Sequence, residues 1–245
     1  MNESQRILII ETGRPLPGLI RWRGFDHWIR VAARWPAEQV DVCRVAAGDT
    51  LPNAAMYSGV VITGSGAMVS DRLPWSERTA DWLRALRQQP VPLLGICYGH
   101  QLLAHAFGGE VGYHPAGREM GTVSVELRVE AKDDPLFAAL PSRFLAQTTH
   151  MQTVLSPPTG AVLLAENAHE RCNAFRVDRH LWGVQFHPEF STRHMRGYIS
   201  ARRQQLSDEV RDWRQMMSSV RPAPWSRKLL QRFGRVCSGR TAAGG

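Results

Sequence analysis

Residues 92–109 read P-L-L-G-I-C-Y-G-H-Q-L-L-A-H-A-F-G-G, and this segment gives the clearest indication of the fold. An apolar run that ends at Ile96 is typical of a buried strand, and residues 98–107 have a helical pattern that a glycine pair ends. Cys97 lies between the two, with a glycine two residues before it and another two residues after it. A strand that turns sharply into a helix at a reactive side chain is the pattern of a nucleophile elbow.

The predicted position of Cys97 favours nucleophilic chemistry. A sulfur at the N-terminus of a helix lies in a partial positive charge, which favours the thiolate. The backbone N–H of Tyr98 would then point toward an oxyanion. A single cysteine after an apolar strand is more often an ordinary core residue, so a second group is needed to support this interpretation.

A candidate base for this thiolate lies in residues 182–191, W-G-V-Q-F-H-P-E-F-S. The predicted strand here delivers His187 to a sheet edge, and Glu189 follows two residues later. A carboxylate at that spacing can accept a hydrogen bond from one ring nitrogen and leave the other to face the cysteine. The two segments together predict a Cys97–His187–Glu189 triad.

The rest of the chain predicts an α/β fold. Before residue 112, apolar strands alternate with helical segments, an order that implies a mostly parallel central sheet with helices on both faces. After residue 112, short strands follow one another and predict an antiparallel extension of the same sheet. The predicted strands are 6–11, 40–45, 59–63, 91–96, 121–129, 143–147, 161–166, 173–177 and 180–185, and the predicted helices are 25–35, 75–88, 98–107, 192–219 and a short last one after Pro224.

The positive charge of the chain is concentrated near its C-terminus. Residues 202–245 hold ten basic and three acidic residues, which gives +7 of the total +8, so residues 1–201 carry only +1. We therefore expect one domain over residues 1–200 and a basic helical extension over residues 201–245, packed on that domain with its last residues frayed. The extension is either a solvated helix face or a surface for an anionic partner.

Composition and cysteine spacing exclude several classes of protein. No apolar run approaches the roughly 18 residues of a membrane span, and no signal peptide is recognisable, so we expect a cytoplasmic protein with no membrane association. The four cysteines form no CxxC pair, which argues against a zinc site or a disulfide scaffold. We expect no metal and no cofactor. A nearly neutral body makes nucleic acid an unlikely partner.

The motif G-x-C-x-G-x-Q at residues 95–101, with H-P-E at residues 187–189, resembles the class I (triad) glutamine amidotransferases. The likeness is greatest to the glutaminase domain of GMP synthase and its stand-alone relatives, and it implies a flavodoxin-like fold. It also implies the reaction of the family, in which Cys97 attacks the side-chain amide of L-glutamine, ammonia leaves, and water hydrolyses a γ-glutamyl thioester.

The resemblance extends to the walls of the site. Residues 61–68, V-I-T-G-S-G-A-M, are similar to the loop that completes the oxyanion hole, and by that match the donor is the Ser65 N–H, with Gly66 where the family has proline. R-E-M-G at residues 118–121 is similar to the K/R-E-I-G segment. The substrate-binding positions implied are Gly64, Gln101, Thr149 and His150, although Met151 and Gln152 replace the usual Gly-Asp that follows.

Three functions stay open on the sequence. The first is a glutaminase that supplies ammonia to an acceptor site on a separate synthetase, an expectation that rests on chain length. The second is a γ-glutamyl peptidase, because the chemistry at the γ-carbonyl is the same and only the leaving amine differs. The third is a regulator without activity, against which the intact triad argues.

Overall fold

The computed structural model describes residues 6–239. Its strands are β1 (Ile7–Ile10), β2 (Val40–Cys43), β3 (Gly59–Ile62), β4 (Leu93–Ile96), β5 (Glu110–Tyr113), β6 (Glu119–Leu127), β7 (Arg143–His150), β8 (Gln152–Ser156), β9 (Val162–Glu166), β10 (Ala174–Val177) and β11 (Leu181–Val184). Its α-helices are α1 (Phe25–Ala33), α2 (Pro74–Leu86), α3 (Tyr98–Ala106), α4 (Thr192–Ala201), α5 (Arg203–Asp208), α6 (Trp213–Ser219) and α7 (Pro224–Cys237).

A nine-stranded sheet in the order β2-β1-β3-β4-β11-β10-β9-β6-β7 forms the centre of the molecule. The first five strands in this order are mutually parallel, and from β11 onward each neighbouring pair is antiparallel. The predicted α/β class, with a parallel sheet and an antiparallel extension, is confirmed. The strand β11 belongs to both parts, because it pairs parallel with β4 and antiparallel with β10.

Helices cover both faces of the parallel strands. The side chains of a strand alternate between its two faces, and here the side chains on both faces are apolar and need to be buried. In β1, Ile7 and Ile9 join a core cluster that includes residues of α1 and α7, whereas Leu8 and Ile10 join a cluster that includes residues of α2 and α3. All four side chains are buried. The continuous apolar run in β1 is therefore explained by burial on both faces.

The structure corrects two details of the predicted elements. The single helix predicted over residues 192–219 is three helices. The first break falls at Arg202, whose ψ of 11° is not helical. The second follows Val210, which has a left-handed φ of 56°, and Asp212 then caps α6 by accepting from the N–H groups of Arg214 and Gln215. The strands β5 and β8 form a separate antiparallel pair that was not predicted. No residue of β5 is fully buried, so it lacks the apolar pattern that identified the other strands.

The C-terminal helix α7 packs into the core. Leu229, Leu230 and Phe233 are fully buried, and the Arg232 guanidinium donates hydrogen bonds to the carbonyls of Pro135 and Leu136. The division at residue 200 stays a prediction. Fraying was expected for residues 238–245, of which residues 240–245 lie outside the described residues. No helix within residues 6–239 combines the length and the hydropathy needed to cross a membrane.

Candidate active site

Cys97 occupies a strained turn between β4 and α3. Its φ of 52° and ψ of −99° lie in a region that residues with a side chain rarely adopt. The turn needs glycine on both sides, because a Cβ on Gly95 would collide with the backbone of Gly99, and a Cβ on Gly99 would lie 2.6 Å from the carbonyl oxygen of Ile62. The local geometry is that of the nucleophile elbow predicted from the sequence.

Adjacent strands bring the cysteine and the histidine to the same sheet edge. In the parallel pair β4–β11, Ile96 lies opposite Val184, and the N–H of Cys97 donates to the Val184 carbonyl at 2.8 Å. The chain leaves β11 toward His187, whose N–H donates to the Gln147 carbonyl at 2.8 Å. The two side chains are close neighbours, since a single Cβ on Gly64 would lie 3.0 Å from Cε1 of His187 and 3.7 Å from Cβ of Cys97.

Glu189 orients the imidazole of His187. Nδ1 donates to Oε1 of Glu189 at 2.8 Å, and both side chains are buried. The ring is also stacked on Phe190, with the ring centroids 4.1 Å apart. With Nδ1 committed to the carboxylate, Nε2 is the ring nitrogen left for proton transfer, and it is buried with no hydrogen-bond partner of standard geometry among residues 6–239.

The charges around His187 favour the imidazolium. Burial alone lowers the pKa of His187, but the charges of Glu189 and Cys97 outweigh burial and raise that pKa to about 10. A histidine that stays protonated beside a cysteine stabilises the thiolate form of that cysteine. The imidazolium of His187 thus lies beside the Cys97 side chain.

The remaining cysteines lie in surroundings that disfavour the thiolate. Burial raises the pKa of the Cys43, Cys172 and Cys237 thiols. His100, on α3 beside the elbow, is fully buried, and burial lowers its pKa to about 3, so its imidazole is neutral. His187 is therefore the histidine whose surroundings suit the chemistry at Cys97.

Two backbone N–H groups are free at the cavity beside Cys97. The N–H groups of Tyr98 and Ser65 have no acceptor among residues 6–239, and both residues line this cavity. The Ser65 hydroxyl fixes its loop by donating to the Thr12 carbonyl at 2.8 Å and accepting from the Ala67 N–H at 3.1 Å. The two N–H groups predicted as oxyanion donors therefore belong to a hydrogen-bonded loop and to the first residue of α3, and their role as oxyanion donors stays a prediction.

Three of the four predicted substrate-binding residues line the same cavity: Gln101, Thr149 and His150. The side-chain N–H₂ of Gln101 donates to the Gln152 carbonyl at 2.6 Å and to Oε1 of Gln185 at 2.9 Å, which leaves its own oxygen available. Gly64 does not line the cavity. Its position beside His187 instead leaves room for the imidazole.

His150 is held in a buried pair with Glu119, which was not proposed as a site residue. Nε2 of His150 lies 3.0 Å from Oε2 of Glu119, and Nδ1 lies 2.9 Å from the Gln152 carbonyl. Burial raises the pKa of Glu119, but the hydrogen bond and charge of His150 outweigh it and lower that pKa. Glu119, which does not line the cavity itself, thus holds in place the His150 side chain that does.

Two arginines that were not proposed as site residues also line the cavity, Arg118 and Arg202. Arg118 begins the R-E-M-G segment, so a motif pointed to its neighbourhood, whereas no local pattern marked Arg202. Among the described residues, no group of three His, Cys, Asp or Glu side chains is arranged to hold a metal ion.

Comparison with known proteins identifies relatives of this chain. It is 36% identical over 189 residues to a GMP synthase [glutamine-hydrolyzing] of Aeropyrum pernix, covering 76% of this chain and 33% of that protein. It is 39% identical over 117 residues to a GMP synthase [glutamine-hydrolyzing] subunit from Archaeoglobus fulgidus, covering 47% and 62% of the two chains. It is 31% identical over 158 residues to gamma-glutamyl peptidase 5 of Arabidopsis thaliana, covering 63% of each.

The chain thus spans about a third of the first of these relatives and less than two thirds of the other two. Its fold is similar to that of a crystal structure of a glutamine amidotransferase from Thermotoga maritima, with a TM-score of 0.72, 24% identity, and coverage of 98% of this chain and 99% of that one. The family model for glutamine amidotransferase class-I matches residues 24–203, and the chain therefore belongs to the class I glutamine amidotransferases.

Proposed function

We propose that this protein hydrolyses the side-chain amide of L-glutamine and releases ammonia, with Cys97 as nucleophile. The observation that supports this most directly is the arrangement at the elbow, where the thiol of Cys97 lies beside the buried His187–Glu189 pair and beside two free backbone N–H groups. Nucleophile, base, orienting carboxylate and oxyanion donors are the parts that acyl transfer needs.

In the first half of the reaction, the Cys97 sulfur forms a bond to the γ-carbonyl carbon, and the carbonyl oxygen becomes an oxyanion. The N–H groups of Tyr98 and Ser65 stabilise this negative charge. The carbon–nitrogen bond then breaks, and His187 gives a proton to the leaving nitrogen, which departs as ammonia. The γ-glutamyl group remains on the sulfur as a thioester.

In the second half, His187 removes a proton from a water molecule, and the water oxygen attacks the thioester carbon. The same oxyanion donors act again. The carbon–sulfur bond breaks, glutamate leaves, and the Cys97 thiolate and the His187 imidazolium are restored. Glu189 acts throughout as the positioning residue, because it fixes the ring orientation and favours the protonated imidazole.

We propose further that the ammonia is used by a synthetase site outside this glutaminase unit. The two relatives named GMP synthase, one of which is named as a subunit, support this proposal. The test is to add this chain to a candidate ammonia-dependent synthetase with glutamine as the nitrogen source. Nitrogen transfer that requires glutamine and intact Cys97 supports the partnership. No transfer from glutamine, by a synthetase that still uses added ammonium, contradicts it.

The relative named gamma-glutamyl peptidase 5 supports a second candidate, the hydrolysis of γ-glutamyl amide bonds in peptides. The same residues serve this reaction, with an amino group of a peptide leaving in place of ammonia. The two candidates predict different preferences at the leaving-group side of the substrate. The acyl half of the reaction, and therefore the thioester on Cys97, is common to both.

One experiment tests both candidates. The purified chain is given L-glutamine and a panel of γ-glutamyl peptides, and kcat/KM is compared, with Cys97→Ser as the inactive control. Higher kcat/KM for glutamine supports the glutaminase, and higher kcat/KM for peptides supports the peptidase. No turnover of either class, with or without a synthetase partner, contradicts both proposals.

A further inference from the structure

The cavity beside Cys97 is lined by two arginines, Arg118 and Arg202, and by no acidic residue. One arginine comes from the segment that leads into β6 and the other from the junction of α4 and α5. The basic C-terminal region of the sequence thus contributes a charge to the candidate active site.

Arg118 is almost entirely buried, with 2% of the residue exposed. Its Nε and Nη2 donate to the carboxylate of Glu209 at 3.0–3.1 Å, and Nη2 also contacts the Met151 sulfur at 3.0 Å. Its Nη1 is buried and has no hydrogen-bond partner among residues 6–239. A buried charged donor without an acceptor is unfavourable, so this atom points to a missing ligand.

Arg202 has no carboxylate partner among the described residues. Its side chain makes no hydrogen bond or ion pair there, and its Nε is buried. Burial, followed by the nearby charge of Arg118, lowers the pKa of Arg202, whereas the charges of Tyr198, Cys97 and Glu209 act in the opposite direction without outweighing burial. Of the two guanidinium groups at this cavity, that of Arg118 is paired with Glu209, and that of Arg202 has no carboxylate in contact among the described residues.

We propose that Nη1 of Arg118 and the guanidinium of Arg202 bind the α-carboxylate of the γ-glutamyl group while its γ-carbonyl lies at Cys97. This inference rests on the proposed function, since it specifies the substrate of the same site. An incoming carboxylate supplies the acceptor that Arg118 lacks and the counter-charge that Arg202 lacks. Planar guanidinium groups match carboxylate geometry better than an ammonium does.

The α-carboxylate is favoured over other carboxylates because both candidate substrates contain it. It is attached to a carbon three bonds from the γ-carbonyl carbon, in glutamine and in γ-glutamyl peptides alike. A carboxylate on the leaving amine exists only in the peptides. The proposed contact therefore selects the γ-glutamyl group itself and is independent of the leaving amine.

The test compares γ-glutamyl-p-nitroanilide with 4-aminobutyryl-p-nitroanilide, which differs only in lacking the α-carboxylate. We expect Arg202→Gln to lower kcat/KM for the γ-glutamyl compound by about 10- to 100-fold, mainly through KM, and to leave the 4-aminobutyryl compound unchanged. Arg202→Lys should recover part of the loss. The matched control is Arg203→Gln, a neighbouring exposed arginine that does not line the cavity.

Equal loss on both anilides would show a structural role for Arg202 and overturn the proposal. A loss seen with γ-glutamylglycine and not with the γ-glutamyl anilide would assign Arg202 to the carboxylate of the leaving amine and overturn it too. Calorimetric binding of L-glutamate to Cys97→Ala is a readout without turnover. If wild type cleaves nothing but Arg202→Gln still weakens glutamate binding in that background, the proposed function fails and the carboxylate contact stands.

Discussion

Oε1 of Glu189 lies 2.8 Å from Nδ1 of His187 in a buried pair, and this carboxylate is the main group that opposes the effect of burial on the imidazole. Because Glu189 raises the pKa of His187, Glu189→Gln should lower it, and the protonated form should be lost at a lower pH. We expect kcat to fall by at least about 100-fold and the alkaline limb of the pH–rate profile to move to lower pH.

The measurement is the pH dependence of kcat and kcat/KM for both proteins. Glu38→Gln, which changes an exposed glutamate, is the control. An alkaline limb at the same pH in Glu189→Gln would contradict the assigned role.

The raised pKa of His187 also predicts that the His187–Glu189 pair stabilises the fold below the ordinary histidine pKa. This contribution to the free energy of unfolding is lost as pH rises through about 10.

Thiol labelling should be selective for Cys97. Burial raises the pKa of Cys43, Cys172 and Cys237, so these thiols hold little thiolate near neutral pH. We expect a chloroketone analogue of glutamine to modify Cys97 alone, as located by mass spectrometry of peptides. Pre-incubation with glutamine should slow the labelling, and labelling of Cys172 at a similar rate in the folded protein would contradict this.

Substitution of Cys97 separates chemistry from backbone strain. Cys97→Ala and Cys97→Ser remove the proposed nucleophile and should abolish turnover while the fold is kept. Glycine tolerates the φ of 52° at this position, so Cys97→Gly should be more stable to unfolding than Cys97→Ala, by on the order of 1 kcal/mol. Denaturant titration of the two variants measures the difference, and the opposite order would show that the turn is not strained.

Gly99 should tolerate no side chain. A Cβ there would lie 2.6 Å from the Ile62 carbonyl oxygen and 2.9 Å from the Ile62 side chain. Gly99→Val should therefore lower both stability and activity, with a cost of about 3 kcal/mol or more in the free energy of unfolding. Gly18→Ala is the matched control, because a Cβ at Gly18 meets nothing within 4 Å. Wild-type melting of Gly99→Val would refute the close packing of α3 on β3.

Deletion of residues 221–245 should unfold or aggregate the protein. The deletion removes Leu229, Leu230 and Phe233, which are fully buried in the same core cluster as residues of β1. Each such side chain contributes about 1.5–3 kcal/mol by burial, which together is comparable to the stability of a whole domain. Thermal melting tests this, and a soluble truncation with normal melting that loses only a salt-dependent interaction would favour a partner-binding role for this segment.

The sequence predicted the parts of the site that lie within short segments. The elbow at Cys97 and the His187–Glu189 pair each have a local pattern, since spacing along the chain determines which groups share a turn. The parallel order of the first strands also followed from the alternation of apolar runs and helical segments. The proposed catalytic roles of these residues remain predictions until variants are measured.

The parts that the sequence did not predict depend on contacts between distant segments. Arg118 is held by Glu209, far along the chain, and Arg202 reaches the cavity only because α4 ends there. Nothing in the local sequence distinguishes Arg202 from the exposed Arg203 beside it. The break between α5 and α6 depends on the positive φ of Val210, a residue type that rarely adopts it.

The direct pairing of β4 with β11 has a consequence for how this protein tolerates change. Cys97 follows β4 and His187 follows β11, and hydrogen bonds between these two strands hold the two residues at a fixed spacing, although six strands intervene in the sequence. The intervening chain can therefore be lengthened without altering their spacing. The exposed turn at Thr159 and Gly160 therefore offers an insertion point for a reporter or affinity module that leaves the pairing of β4 with β11 intact.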